Sequence, residues 1–390
     1  MVLLNFQKDG KKDLKKNYMD YHKEDWTQLL KNCCNNGDDV KEYLNLTDDE
    51  TERINKISEQ YPMCINHYYL SLIDPEDPED PIRKMSIPSG WELSDGGEPD
   101  TSGEASNTVI PGMQHKYNQT TLILSTNMCA MYCRHCFRKR FVGLSDDEIA
   151  GHLGEMEDYV RNHPEVSNVL ITGGDAFLNS NQRIKEYLDR FIDIPHLDLI
   201  RFGTRTPVVL PQRITTDFEL QQILAEYNQR KQIYVITQFN HPREVTEEAI
   251  EAIRILQKIG IVIKNQTVLL KGINSDPAVL GSLLKKLTAC GIIHYYIFQC
   301  RPVRGVLNHF QVPLKEGSRI VEAAKAMQNG QGKCIHYAMS HPTGKIEILG
   351  QLNESDMLFK YHQAKDSGEI GRIFTFAVEE DQCWLDMDLN

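Results

Sequence analysis

No stretch of the 390-residue chain stays apolar for the roughly 18 residues that a membrane helix needs. Positive charge is not in excess either: 43 Lys and Arg stand against 55 Asp and Glu, a formal charge of −12, which argues against a surface built to neutralise nucleic-acid phosphates. One basic cluster, 134–140, is too short to change that. Ten cysteines in a chain this size do not make a disulfide scaffold. The N-terminal MVLLNFQKDGKKDLKK meets charge too early for the apolar core of a secretion signal. These absences set the expectations: a soluble protein with the reducing cytoplasm as default location, no nucleic-acid partner and no membrane span. A hydrophobic fraction of 41% and a charged fraction of 25% are those of an ordinary globular chain, long enough for one large core with smaller attachments.

What is present falls into three parts. Residues 1–115 are polar, with helical patterns near 26–33 and 48–59 and a Pro-, Gly- and Asp-rich loop or linker over 75–103. They read as a helical N-terminal extension. From about 116 to 330 short apolar runs (121–126, 168–172, 197–203, 232–239, 261–270 and 294–299) alternate with amphipathic stretches (145–163, 182–192, 217–229, 246–259, 278–290 and 315–328). Strand–helix units in series imply parallel pairing, because parallel neighbours need a crossover. An incomplete (β/α)6 barrel and a doubly wound open sheet both satisfy that pattern, and both put chemistry at the C-terminal ends of the strands. Residues 331–390 turn strand-like again (334–340, 345–349, 357–361 and 372–378). They read as a small antiparallel β cap on the open side.

Directly after the first of those strands stands Cys129-Ala-Met-Tyr-Cys133-Arg-His-Cys136, a C-x3-C-x2-C loop. Three thiolates on one loop can converge on one metal centre, and thiolates are the ligands of Fe–S clusters. A cubane held this way keeps one iron without a protein thiolate. His135 could complete a four-ligand zinc site instead, and buried, unreactive thiols are the plain alternative. Gly173-Gly174-Asp175 ends the next strand, where a ligand-holding loop and a tight βα turn are both compatible with the residues.

These motifs resemble the radical S-adenosylmethionine (SAM) superfamily. There a [4Fe–4S] cluster on three such cysteines binds SAM and cleaves it to a radical, and a Gly-Gly-Glu-type motif, here Gly173, Gly174 and Asp175, holds the SAM amino group. A closer resemblance is to lysine 2,3-aminomutases and their relatives. It is carried by PGMQHKY (111–117), MCAMYCRHCFRKRF (128–141), GTRTPVVLPQRIT (203–215), FNHP (239–242), NQTVLLKG (265–272) and YYIFQC (295–300). The resemblance implies an incomplete (β/α)6 barrel and an isomerase that uses SAM and pyridoxal phosphate (PLP) to move an α-amino group to the β-carbon. It also implies an amino-acid substrate and a reducing flavodoxin or ferredoxin, and leaves homo-oligomerisation open. By the same resemblance Cys129, Cys133 and Cys136 hold the cluster. Gly173, Gly174, Asp175 and Gln266 lie on the SAM side, Lys116, Tyr117 and Asn265 on the PLP side, His135 is a further cofactor-binding position, and Arg138 clamps the substrate α-carboxylate.

The sequence departs from that pattern at informative places. Two aspartates that face the substrate ammonium in lysine-specific members become Arg301 and Ser340. Like charge beside a lysine ammonium is repulsive in a closed site, so an anionic distal group, as in glutamate, suits Arg301 better; the alternative is an arginine turned to solvent. The PLP lysine falls on Lys345, after a turn two residues shorter than the family's glycine-rich one. Lys116 replaces a phosphate-binding arginine, Phe298 a tyrosine and Gln238 a histidine, and the family's C-terminal zinc cysteines are absent. A PLP-independent radical SAM enzyme and an Fe–S electron carrier are the other readings.

Overall fold

The computed structural model describes residues 20–386 and Leu389, so the charged N-terminal run discussed above lies outside the described residues. Among the described residues twelve strands form one sheet in sequential order. β1 (Thr108–Ile110) and β2 (Met113–Tyr117) lead antiparallel into β3 (Thr120–Thr126). β3 is followed by β4 (Asn168–Gly173), β5 (Leu199–Gly203), β6 (Gln232–Thr237), β7 (Val262–Leu269), β8 (Ile293–Gln299) and β9 (His336–His341), each parallel to the one before. β10 (Gly344–Gln351), β11 (Asp356–Ala364) and β12 (Ile373–Ala377) close the chain as an antiparallel meander.

A helix spans each parallel step: Leu153–Arg161, Asn181–Phe191, Phe218–Asn228, Glu247–Lys258, Pro277–Ala289 and Leu314–Ala326. Their starts are written locally. Thr246 caps the Ala249 amide, and Asp276 caps Ala278 with Pro277 in the first turn, where a missing N–H costs nothing. Such a cap contributes about 1 kcal/mol. Three local readings need correction. β9, expected in an antiparallel cap, pairs parallel with β8, because the helix Leu314–Ala326 returns the chain to the starting side. β1 and β2 lie in a part read as helical and polar; Met113 and Gln114 are buried there against β3. The stretch 145–163 is helical only over Leu153–Arg161, since the Ala150 amide bonds back to the Leu124 carbonyl at 2.8 Å.

The strands alternate sharply. In β4, β5 and β7 every second residue is buried and the others are half-buried. The buried set (Val169, Ile171, Ile200, Phe202, Ile263) packs under the helices, each large side chain contributing roughly 1.5–3 kcal/mol. Strands of a parallel sheet covered on both faces read as continuous apolar runs. Here the second face carries Thr172, Arg201, Lys264 and Gln266, so it lines a polar hollow instead of a second core. The N-terminal helices Trp26–Lys31 and Asp48–Gln60 belong to the same core as the sheet. Trp26 Nε1 donates to Asp217 at 3.1 Å, and the Tyr69 hydroxyl to Glu244 at 2.6 Å. The segment expected as a loop or linker contains a helix at Pro81–Ser86 and buried Glu92, which pairs with Arg134 and Lys139. It straps the cysteine loop. Among the described residues no helix is long and apolar enough to cross a membrane.

Candidate active site

The cysteine loop leaves the C-terminal end of β3 and is zipped to the loop after β4. The Gly174 amide donates to the Thr126 carbonyl at 2.6 Å and the Asp175 amide to the Met128 carbonyl at 2.8 Å. This contact explains both glycines. A Cβ on Gly173, whose φ is +120°, would lie 2.4 Å from the Thr126 oxygen, and one on Gly174 would lie 2.3 Å from the Met128 oxygen. No side chain fits either place.

The loop carries Cys129, Cys133 and Cys136, all three free thiols that are partly buried. Burial pushes the Cys129 thiol up, with Asp175, Cys136 and Cys133 adding to the effect, and burial and Cys133 push Cys136 up to about 11. Thiols that raise one another's pKa in this way are neighbours that would repel as thiolates. A metal centre among them reverses the sign of that interaction, so the donor set fits a thiolate-bound cluster. Arg205 Nη1 donates to Cys133 Sγ at 2.8 Å, while its Nε donates to the Gln238 carbonyl at 2.9 Å and its Nη2 pairs with Glu244. Arg205 lies inside the GTRTP match but was not singled out from the sequence; only the fold carries it from the end of β5 to the sulfur.

The neighbouring residues divide by what their side chains hold. The Asp175 carboxylate, raised by burial, accepts from the Thr204 hydroxyl, from the Thr206 hydroxyl at 2.9 Å, from the Arg205 amide at 2.8 Å and from the Phe177 amide at 3.1 Å. Those four donors commit it to positioning the 204–206 turn. Asn265 is likewise committed: it accepts from the Phe239 amide at 2.7 Å and donates to Thr267 at 2.9 Å, on the helix side of β7. Gln266, one residue on, faces the hollow. His135 is buried, with its Nε2 3.2 Å from both the Gln238 and Asn240 amides. Burial keeps it neutral, well below its ordinary value.

Across the hollow lies Lys345. The two-residue turn Pro342-Thr343 makes it the second residue of β10, opposite Ser340 on β9. A Cβ on Gly344 would lie 2.4 Å from the Gln363 carbonyl, so the turn needs glycine there. Lys345 is not a solvent lysine. Its Nζ sits 4.3 Å from the Tyr296 ring centre, with Phe298, Tyr295 and Tyr117 at 5.7, 5.8 and 6.0 Å. Burial, helped by Arg201, Arg301 and Lys116, brings it down to about 7. Lys116 also falls to about 7 by burial; its Nζ donates to the His341 carbonyl at 2.8 Å, which draws β2 towards the turn before β10. Arg201, not anticipated from the sequence, has its Nε buried without a partner among the described residues. A ring of cations around an aromatic-walled amine fits an anionic, planar cofactor such as a pyridoxal phosphate.

Arg138 and Arg301 stand over Phe137, with guanidinium carbons 4.6 and 4.2 Å from the ring centre. Arg138 Nε donates to Glu104 at 2.8 Å, and Glu104 also takes Arg140 at 2.9 Å. Neither arginine is a solvent side chain. Burial would raise Glu104, but Arg138, Arg140 and Arg301 hold it below the carboxylate range. Sequence reasoning missed this carboxylate, which lies far upstream of its partners. Arg301 keeps Nη1 buried without a partner among the described residues, and burial lowers it to about 10 despite Glu104.

A cysteine loop at the head of a parallel α/β sheet defines the class: residues 123–279 match the model of the radical SAM superfamily. L-lysine 2,3-aminomutase of Clostridium subterminale is 40% identical over 321 residues, 82% of this chain and 76% of the relative. L-lysine 2,3-aminomutase of Fusobacterium nucleatum is 40% identical over 348 residues, 88% of this chain and 79% of the relative. Glutamate 2,3-aminomutase of Clostridioides difficile is 39% identical over 335 residues, 84% of this chain and 78% of the relative. The chain belongs to the family of lysine and glutamate 2,3-aminomutases, within the radical SAM superfamily.

Proposed function

We propose that the chain is an amino-acid 2,3-aminomutase whose substrate carries an anionic distal group, such as glutamate. The observation that carries the choice is Arg301, a buried guanidinium with an unsatisfied N–H beside Arg138, where Glu104, the carboxylate that acts on it most, is already shared by Arg138 and Arg140, with Asp100 a weaker second. The sheet from β3 to β8 with its six helices is read as an incomplete (β/α)6 barrel around the hollow. Cys129, Cys133 and Cys136 would hold a [4Fe–4S] cluster, and the Gly173–Gly174 backbone with Gln266 would seat SAM. Lys345 would hold PLP, with Lys116 and Tyr117 beside it. Bound together, the cluster with SAM supplies hydrogen abstraction and PLP supplies the π-system that carries the migrating amine.

The chain's own residues do the rest. Arg205 donates into Cys133 and so places a fixed positive charge against the sulfur side of the centre. Asp175 keeps Arg205 and the two threonines in place. Lys345, near neutrality, is a nucleophilic amine at ordinary pH, which an exposed lysine is not. Arg138 would take the α-carboxylate and Arg301 the distal one by bidentate N–H donation. The aromatic wall excludes water from the radical chemistry. Anaerobic incubation with SAM, dithionite and a panel of amino acids, read by mass spectrometry, tests this. Conversion of L-glutamate to its β-amino isomer supports it; SAM cleavage with no PLP bound and no isomerised amino acid refutes it.

A further inference from the structure

Three ligand-type side chains converge on a spot that the aminomutase reading does not use. His336 lies on β9, Glu347 on β10 and His362 on β11. Glu347 is in register with Ala338 on one side and Lys360 on the other, each two residues from one of the histidines. Residues two apart in a strand share a face, so all three side chains project together. One carboxylate oxygen and two ring nitrogens lie within 4.8 Å of one another, and His336 Nδ1 is 2.7 Å from Glu347 Oε1. The two imidazole centroids are 5.2 Å apart, and Tyr296 stands beside both, at 6.1 and 5.6 Å.

We propose that His336, Glu347 and His362 form a divalent transition-metal site, zinc being its best-suited occupant, separate from the cysteine-bound centre. Two imidazoles and one carboxylate are a known three-ligand zinc set that leaves a fourth position for water. The nitrogen-rich donors select against magnesium and calcium. Tetrahedral zinc with bonds of about 2.0–2.1 Å needs ligand atoms roughly 3.4 Å apart, within the 4.8 Å limit that already encloses all three. Zinc ligation needs neutral rings, and His362 is held below its ordinary value by burial, then by Lys345 and His336. Lys345 and Lys360 oppose the cation from β10 and β11, so the site is one of moderate affinity. Its occupant would tie together the strands that carry Ser340 and Lys345. The proposal stands whatever the substrate of the enzyme.

The test uses the full chain with its iron–sulfur cluster assembled, so that Cys129, Cys133 and Cys136 are occupied. The protein is equilibrated anaerobically with zinc chloride, and bound zinc is counted by mass spectrometry and examined by X-ray absorption at the zinc edge. We expect one zinc per chain with a nitrogen and oxygen shell, saturating near or below about 10 μM, and a rise in Tm on binding. Glu347→Gln keeps the volume and a hydrogen bond to His336, and His362→Gln removes one ring. Both should weaken zinc binding at least tenfold with cluster absorbance and far-UV circular dichroism unchanged. Sulfur in the zinc shell, equal uptake by the wild type and both variants, or no uptake at 100 μM zinc would each overturn the proposal.

Discussion

Replacing Arg301 by Asp is the sharpest test of the substrate pocket. Burial lowers this guanidinium to about 10 despite Glu104, yet leaves it charged at neutral pH. The site therefore holds a cation under strain that an anionic ligand would relieve. A lysine ammonium placed about 6 Å away, at an effective dielectric constant near 20, would meet about 3 kcal/mol of repulsion. That corresponds to a factor of roughly one hundred in rate. The wild-type enzyme should therefore act on L-lysine at least about a hundredfold less efficiently, in kcat/KM, than on its best anionic substrate. Arg301→Asp removes the repulsion and adds an attraction, so it should lower kcat/KM on the anionic substrate and raise it on lysine by at least tenfold. Arg301→Gln should show the first effect with less of the second. The assay is anaerobic turnover of each amino acid with quantified β-isomers. Efficient wild-type conversion of lysine, or a lysine rate that Arg301→Asp leaves unchanged, would refute the argument.

Four further outcomes follow from the same geometry. Cys129→Ala, Cys133→Ala and Cys136→Ala should each abolish the cluster absorbance and SAM cleavage, while Cys290→Ala retains both. Gly174→Ala puts a methyl 2.3 Å from the Met128 carbonyl and should displace the cysteine loop, read as a lower Tm and a reduced cluster yield. Borohydride reduction with PLP should label the peptide containing Lys345. Because Lys345 is lowered to about 7, the neutral amine grows as pH rises through 7, so labelling should climb from pH 6 to 8 and then level off, where an exposed lysine would keep climbing towards pH 10. Arg205→Gln leaves buried Glu244 without its guanidinium and should destabilise the fold by about 3–5 kcal/mol, measured by denaturant unfolding of the cluster-free protein.

Much of the architecture was legible in the chain because it is local. The six apolar runs and six amphipathic stretches between 120 and 328 reappear as β3–β8 and their helices, since periodicity and caps are properties of neighbouring residues. The cysteine loop and Gly173–Gly174 were legible for the same reason: a loop that carries three cysteines and a backbone that must approach without Cβ atoms are written in short strings. The pairing of β9 with β8 was not, because direction depends on where a crossover returns the chain. β1 and β2 escaped notice because their buried positions are few and partly polar. The ions that set the pocket's character come from distant segments: Glu104 meets Arg138 and Arg140, Glu92 meets Arg134 and Lys139, and Arg201 on β5 faces Lys345 on β10. Sequence alone thus determined which chemistry the residues can perform. Tertiary structure decided which of them are free to perform it, because burial and partner choice set whether a carboxylate such as Asp175 is spent on the fold or a guanidinium such as Arg301 is left for a ligand.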